Sequence, residues 1–296
     1  MRSLLITGAS GFLGYFASRQ LADRWHIHGT YHQHPVPELP IAWHSLDLRD
    51  PTSIDRCFAA AAPDAVIHAA AHARVNQCEQ DPAGSAVVNI EGTHAIARHC
   101  ATRSIPLLFI STDLVFDGTQ APYRETDSPS PINVYGQQKA IAEATLLNAY
   151  PEATVCRVSL LYGPPAPRSQ SFLQGFIATL AAGNPLTLFT DEWRTPVLVD
   201  DAIAGLHQIL THGTTGILHL GGPEVISRYD FGLTMAAVLG LPAHNIRPRL
   251  RADVSLPAAR PANVALESHR AIALGYQPRG VRAGLSAIAR HPNALH

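Results

Sequence analysis

The stretch Ser3-Leu4-Leu5-Ile6-Thr7-Gly8-Ala9-Ser10-Gly11-Phe12-Leu13-Gly14 decides the fold of this chain. It opens with an apolar run of strand length. Glycines then recur at every third position, and Phe12, Leu13, Phe16, Ala17 and Leu21 follow at spacings that share one helical face. Strand, glycine turn and helix in that order predict a dinucleotide-binding turn. Gly8 would make the tight turn, Gly11 would let the backbone approach a pyrophosphate, and Gly14 would let the helix pack close to the strand. The free amides and positive dipole end of the helix would face the phosphates. A glycine triplet alone is equally an ordinary turn, and the flanking strand and helix set this one apart. Gly8, Ser10, Gly11, Phe12, Leu13 and Gly14 are the candidate cofactor contacts.

Downstream, strand and helix patterns alternate as in a Rossmann-like, doubly wound α/β parallel sheet. Residues 26–31, 41–45, 65–68 and 105–110 read as the second to fifth strands. Residues 51–61 and 83–103 read as helices between them, Pro51 taking a first-turn position where its missing amide costs nothing. A helix over 134–148 and a strand over 154–158 complete the nucleotide half. The proline-rich break Tyr162-Gly163-Pro164-Pro165-Ala166-Pro167 changes the texture. The chain therefore divides into a cofactor lobe, residues 1–159, and a smaller, mainly substrate-binding lobe, residues 160–296, some segments of which return to the first.

Composition narrows the function. At 296 residues, 46% apolar and 15% charged, the chain can bury a sizeable core. A net charge of −1 gives no nucleic-acid surface. No apolar run reaches the ~18 residues of a membrane span, and the first strand begins at once, so a soluble, cytoplasmic protein is expected. Cys57, Cys78, Cys100 and Cys156 lack C-x-x-C spacing and read as core or loop thiols of a reduced compartment. The sixteen histidines form no ligand motif, and no metal is expected.

Two further segments carry chemistry, Ile110-Ser111-Thr112-Asp113 and Tyr135-Gly136-Gln137-Gln138-Lys139. On a helix, Tyr135 and Lys139 share one face, one turn apart. A neighbouring ammonium favours the phenolate, so the spacing predicts a Tyr135 pKa lowered from its usual ~10. Tyr135 would exchange a proton with a substrate oxygen, Lys139 would also hold the nicotinamide ribose, and Thr112 at a strand's carboxyl end would polarise the same carbonyl. Either segment alone also arises on a solvated helix or in a turn. Their order behind the glycine turn distinguishes them.

The G-x-x-G-x-x-G spacing resembles the extended short-chain dehydrogenase/reductase family. Within it, Asp64 to His72, Ser111 to Gly118, Pro122 to Glu125, Pro131 to Lys139, Asp191 to Pro196 and Arg260 to Val264 resemble the dTDP-4-dehydrorhamnose reductases over nearly the whole chain. This resemblance implies NAD(P)H-dependent reduction of a 4-keto group on a nucleotide-linked deoxysugar. It implies Thr112, Tyr135 and Lys139 as catalytic residues with Asp113 beside them, Ala69, Ala70 and Ala71 along the cofactor channel, and Val75 near the nicotinamide. Leu160 stands where that pattern carries a sugar-stacking aromatic. Leu114 stands where related dehydratases carry a glutamate, which disfavours dehydration. Trp25 to Gly29, Phe116 to Thr119 and Pro122 to Glu125 also resemble the regulatory beta subunit of methionine adenosyltransferase. That likeness implies cofactor binding without ketosugar turnover, and a partner that co-purifies. A homodimer is compatible with either.

The second strand ends Thr30-Tyr31-His32-Gln33-His34, without the carboxylate that accepts from a ribose 2′-hydroxyl and repels a 2′-phosphate. NADPH is therefore expected, with NADH possible, and Tyr31 and His32 are candidate contacts. Asp47 and Leu48 resemble an adenine-contacting pair, while Asp47 equally starts a turn. Arg168, Phe172, Trp193 and Arg194 are candidate substrate contacts, since arginine forks suit a diphosphate and aromatics stack on a base or sugar. Salt bridges and core packing account for the same residues.

Overall fold

A computed structural model describes residues 1–290. It begins with β1 (Ser3–Thr7), in which Leu4, Leu5 and Ile6 are fully buried, as an uninterrupted apolar run requires of a strand covered on both faces. Then come α1 (Phe12–Leu21), β2 (His26–Tyr31), β3 (Ala42–Ser45), α2 (Pro51–Ala61) and β4 (Ala65–His68). The Asp50 carboxylate caps α2 by accepting from Thr52 N at 2.9 Å, and Pro51 occupies the first turn.

The helical stretch expected over 83–103 is segmented. Helices α3 (Val75–Gln80) and α4 (Pro82–Ala86) lead into a π-helical segment, Val87–Gly92, and then α5 (Thr93–Arg103). The wider turn sits where Gly92 packs on Leu48, whose Cβ would lie 2.7 Å from a Cβ on the glycine. There Asn89 also bonds the backbone of His72 on both sides, accepting from its N at 2.8 Å and donating to its O at 3.1 Å. Strand β5 (Leu107–Thr112) starts two residues later than the expected 105–110 and extends to Thr112. Helix α6 (Val134–Ala149) follows, capped by Asn133 Oδ1 accepting from Gly136 N at 2.8 Å, which sets Tyr135 in its first turn.

Beyond β6 (Thr154–Val158) the elements are β7 (Leu161–Tyr162), α7 (Phe172–Ala181), β8 (Leu186–Phe189), β9 (Trp193–Arg194), β10 (Val197–Leu198), α8 (Val199–His212), β11 (Gly216–Leu220), β12 (Ile226–Ser227), α9 (Arg228–Leu239), β13 (Ile246–Arg249), α10 (His269–Ala273) and α11 (Val281–Ala289). Seven strands form one parallel sheet in the order β11-β6-β5-β4-β1-β2-β3. Side chains of α1 and α8 fill one face of it; those of α2, α5 and α6 fill the other. Thus α8 and β11, from the C-terminal half, belong to the large sheet layer. A separate core joins α7, β8, α9, β13 and α11. The strand order turns back between β1 and β4, and their carboxyl ends open the crevice where such sheets bind ligands. Among the described residues, no helix is long and apolar enough to cross a membrane.

Candidate active site

Two clefts meet at that crevice, sharing Gly11, Ala69, Ala71, Ala73 and Arg74. The first, about 630 Å³, is bounded by Gly8, Ser10 and Gly11, by Tyr31 and His32 at the end of β2, by Asp47 and Leu48 after β3, and by Ala69 to Ala71 after β4. Gly8 has φ +70°, and a Cβ there would lie 2.9 Å from Ala70 N and Cα, so only glycine fits the turn. Gly14 packs on the Gly8-Ala9 turn that follows β1, where a Cβ would come within 2.2 Å of Gly8 O. Gly11 caps α1 without any side-chain bond, and the first turn of α1 carries no acidic residue. The helix amides are left without a competing carboxylate, which suits a phosphate.

Asp47 starts the turn foreseen for it and also borders the cleft. Its Oδ1 accepts from Arg49 N at 2.9 Å in a tight turn. Side-chain hydrogen bonds from Arg49 hold its carboxyl down at about 2. Arg49 itself was missed by sequence reasoning, although it directly follows the Asp47-Leu48 pair. It lines the cleft, and its guanidinium lies 3.2 Å from His32 Nε2. His34 is exposed and lines neither cleft.

The second cleft, about 1030 Å³, brings together Phe12, Leu13, Val75, Thr112, Asp113, Tyr135, Lys139, Leu160, Arg168, Phe172 and Arg194. Trp193, by contrast, is 36% exposed and does not line it, because β9 alternates and turns Arg194 inward. Arg194 is no open fork. It sits 3.7 Å from Asp113 and 3.3 Å from Glu192, and donates to Trp193 O at 2.9 Å. Glu192, Ser159 and Arg260 also line the cleft. Of these, Ser159 and Glu192 were not read as site residues, although Glu192 lies within the Asp191 to Pro196 segment.

Tyr135, Lys139, Thr112 and Asp113 are all buried. The Thr112 hydroxyl accepts from Leu114 N and donates to Asp113 Oδ1, each at 3.2 Å. Asp113 also accepts from Ser159 Oγ at 2.9 Å, and burial raises its carboxyl pKa despite Arg194. Lys139, the only lysine in the chain, donates to Ile110 O at 2.7 Å and lies 3.8 Å above the Phe109 ring. Burial brings its ammonium down to about 7, and Glu143 opposes the fall. The lowered Tyr135 pKa expected from the Tyr-Lys spacing is corrected here: burial raises the phenol, and the Asp113 charge adds to the rise. Helical spacing makes the two residues neighbours, but desolvation of the buried phenol sets the direction of its shift.

The four cysteines are free and buried. Among the described residues, no group of three or more His, Cys, Asp or Glu is arranged to hold a metal.

Comparison with known proteins follows the same lines. The model of the family described as the RmlD substrate binding domain matches residues 1–293. The chain is 34% identical over 267 residues to the probable low-salt glycan biosynthesis reductase Agl14 of Haloferax volcanii, covering 88% of each. It is 32% identical over 282 residues to the dTDP-4-dehydrorhamnose reductase of Mycolicibacterium smegmatis, covering 93% of this chain and 81% of that protein. It is 29% identical over 286 residues to methionine adenosyltransferase 2 subunit beta of Bos taurus, covering 94% and 84%. Among solved structures, the dTDP-4-dehydrorhamnose reductase of Bacillus anthracis in complex with NADP superposes with a TM-score of 0.86, at 23% identity, covering 97% of this chain and 98% of that one.

Proposed function

The chain belongs to the family of the RmlD substrate binding domain, and on that premise we propose that it reduces the 4-keto group of a nucleotide-linked deoxysugar, with Tyr135 as proton donor. It is an NAD(P)-dependent oxidoreductase of that family. One observation carries the reading: Thr112, Tyr135 and Lys139 converge on a single cleft that runs into the glycine turn at the switch point of the sheet. The uncapped start of α1 and the close fit of Gly8 against Ala70 suit a dinucleotide. When bound, the reduced nicotinamide supplies the hydride.

The chain's own residues do the rest. A buried, raised phenol keeps its proton until the substrate oxygen gains negative charge. An alkoxide is a stronger base than a phenolate, so transfer from Tyr135 is then downhill. Thr112 would turn its hydroxyl from Asp113 to the same oxygen and steady the developing charge. Lys139 spends one N–H on Ile110 O and keeps others for the ribose hydroxyls. Val75, Leu160 and Phe172 form an apolar wall for the sugar, and Arg168 and Arg260 are assigned to its diphosphate. Arg194, committed to Asp113 and Glu192, is assigned to holding Asp113 in place. Residues 1–159 serve the cofactor and 160–296 mainly the substrate.

We assign NADPH as the preferred cofactor. The end of β2 offers Tyr31 and His32 instead of a carboxylate, and Arg49, paired with Asp47 through Nε and Nη2, sets a fixed cation beside His32. The test is to follow reduced-nicotinamide absorbance with NADPH, and separately NADH, across a panel of nucleotide-linked 4-ketosugars. Consumption with one sugar establishes the reaction. The likeness to methionine adenosyltransferase 2 subunit beta supports a second reading, a cofactor-binding regulatory subunit. Tight NADPH binding with no consumption across the panel, and a co-purifying methionine adenosyltransferase, would select it.

A further inference from the structure

Behind the cleft, a line of buried polar groups leads away from Lys139. Glu143 follows Lys139 by one turn of α6 and is 3% exposed. Its carboxylate takes a short hydrogen bond from Ser111 Oγ. It also accepts from Arg157 Nη2 at 2.8 Å and from Arg157 Nε at 3.1 Å and 3.2 Å. Arg157 is fully buried, lies across from Ser111 in the β5–β6 register, and has its charge over the Phe116 ring at 5.0 Å. Across the next register pair, Arg157 Nη1 lies 3.4 Å from His219 Nε2, and His219 Nδ1 lies 3.1 Å from Glu267 O. The reaction steps above do not use these groups. A buried ion pair is weak evidence for stability, because desolvating two charges offsets most of their attraction. A pair placed one turn beneath Lys139 and one hydrogen bond from the residue beside Thr112 calls for another reason.

We propose that Glu143 is a positioning residue for the reductase site: held by Arg157, it supplies the countercharge of Lys139 and fixes Ser111, so that ammonium and Thr112 are presented to the cleft together. The proposal rests on the assignment of Lys139 and Thr112 to that site. Lys139 lies over the Phe109 ring on β5 and one turn of its own helix from Tyr135, with His68 on β4 near enough to feel its charge and Asp113 and Cys78 near enough to act on the phenol. His68 is buried and pushed down to about 3, so it is neutral and sets no like charge beside the ammonium. Asp113 is engaged with Ser159, Thr112 and Arg194. Of the groups around the ammonium, Glu143 is the carboxylate that opposes its loss of charge. Arg157, bonded to both carboxylate oxygens, holds Glu143 in one rotamer.

The presence of a single lysine makes the test direct. With lysine labelled in its ε-carbon and ζ-nitrogen, the full chain gives one side-chain NMR signal, whose pH titration is that of Lys139. In the wild-type protein the midpoint should fall near 7. Glu143→Gln should lower it by at least about one pH unit, the scale of losing an opposite charge at ~4–6 Å. It should also weaken NADPH binding at pH 7 by about fivefold, as the ammonium fraction falls from about one half to about one tenth. Should Glu143→Gln fail to fold because Arg157 is left unpaired, Glu143→Gln combined with Arg157→Gln removes both charges at similar volume. It should move the midpoint in the same direction by less. An unchanged or raised midpoint in a folded variant overturns the proposal, as does a wild-type midpoint near ~10, the ordinary lysine value. Failure of the ketosugar assay with the NMR shift intact would refute the assigned reaction and leave the Glu143–Lys139 coupling standing.

Discussion

Replacing Gly14 by alanine tests whether the glycine turn fixes the cofactor cleft through backbone contact. An ideal Cβ at Gly14 would lie 2.2 Å from Gly8 O, 2.7 Å from Gly8 C and 2.7 Å from Ala9 Cα. Carbon and oxygen approach to about 3.3 Å even in a weak C–H···O contact, so α1 must lift from β1 by about 1 Å. All three blocking atoms are backbone, and no side chain can yield instead. Overpacking of this kind costs about 1–3 kcal/mol, while alanine's helix propensity returns up to ~1 kcal/mol. The net loss should be about 1–2 kcal/mol. The lift also displaces Gly8 and Gly11 from the cleft, so NADPH should bind at least about tenfold more weakly, or ~1.4 kcal/mol. Gly175 is the control: it too lies within a helix, α7, and a Cβ there meets no atom within 4 Å. Gly175→Ala should stabilise by about 0.5–1 kcal/mol and leave NADPH binding unchanged. Urea unfolding followed by circular dichroism gives the stabilities, and nicotinamide fluorescence titration gives the affinities. If Gly14→Ala matches wild type in both, or Gly175→Ala loses as much as Gly14→Ala, the close-packing argument is wrong.

Tyr135→Phe should depress turnover by about 10²-fold or more while cofactor affinity stays within about twofold, since only the general acid is lost; steady-state kinetics beside a binding titration will show whether both halves hold. Arg49→Ala should cut the NADPH-over-NADH preference in kcat/KM by about tenfold, the loss of one charge-assisted contact, whereas an unaltered ratio would remove Arg49 from the cofactor site. Lys139 carries a signed pH effect, because its folded pKa falls from 10.5 to about 7. Below that value both states hold the proton and the group adds no slope. From about 7 upward to 10.5 the unfolded chain binds one more proton, so stability rises with pH. Relative to Lys139→Met, the wild-type protein should therefore gain stability between pH 7 and 9 in matched urea melts, and a flat or falling difference would contradict a buried, depressed lysine.

What the sequence made legible was whatever a contiguous segment specifies. The Ser3–Gly14 stretch contains its own strand, turn and helix, so the fold class, the tight turn at Gly8 and the close packing at Gly14 could be read from it. Asp50-Pro51 and Asn133 mark helix starts by local capping chemistry, and Tyr135 and Lys139 share a face because helical geometry is local too. The groups that escaped reading are joined by the fold alone. Ser111, Arg157 and His219 form a row only because β5, β6 and β11 are neighbours, and β11 arrives some sixty residues after β6. Arg49 and His32 meet only across the β2–β3 pair. Arg194 looked available for a phosphate until the fold set it against Asp113 and Glu192. The direction of the Tyr135 pKa shows the limit most clearly. Spacing fixes the distance between a phenol and an ammonium, but the energy of that pair depends on how much water surrounds it. Burial is a property of every segment that closes over the site, here β4, β5, α3 and α6 together. A motif can therefore bring a phenol and an ammonium together, while the protonation state is set by the assembled fold, and in this chain burial favours the neutral phenol that the proposed proton transfer from Tyr135 starts from.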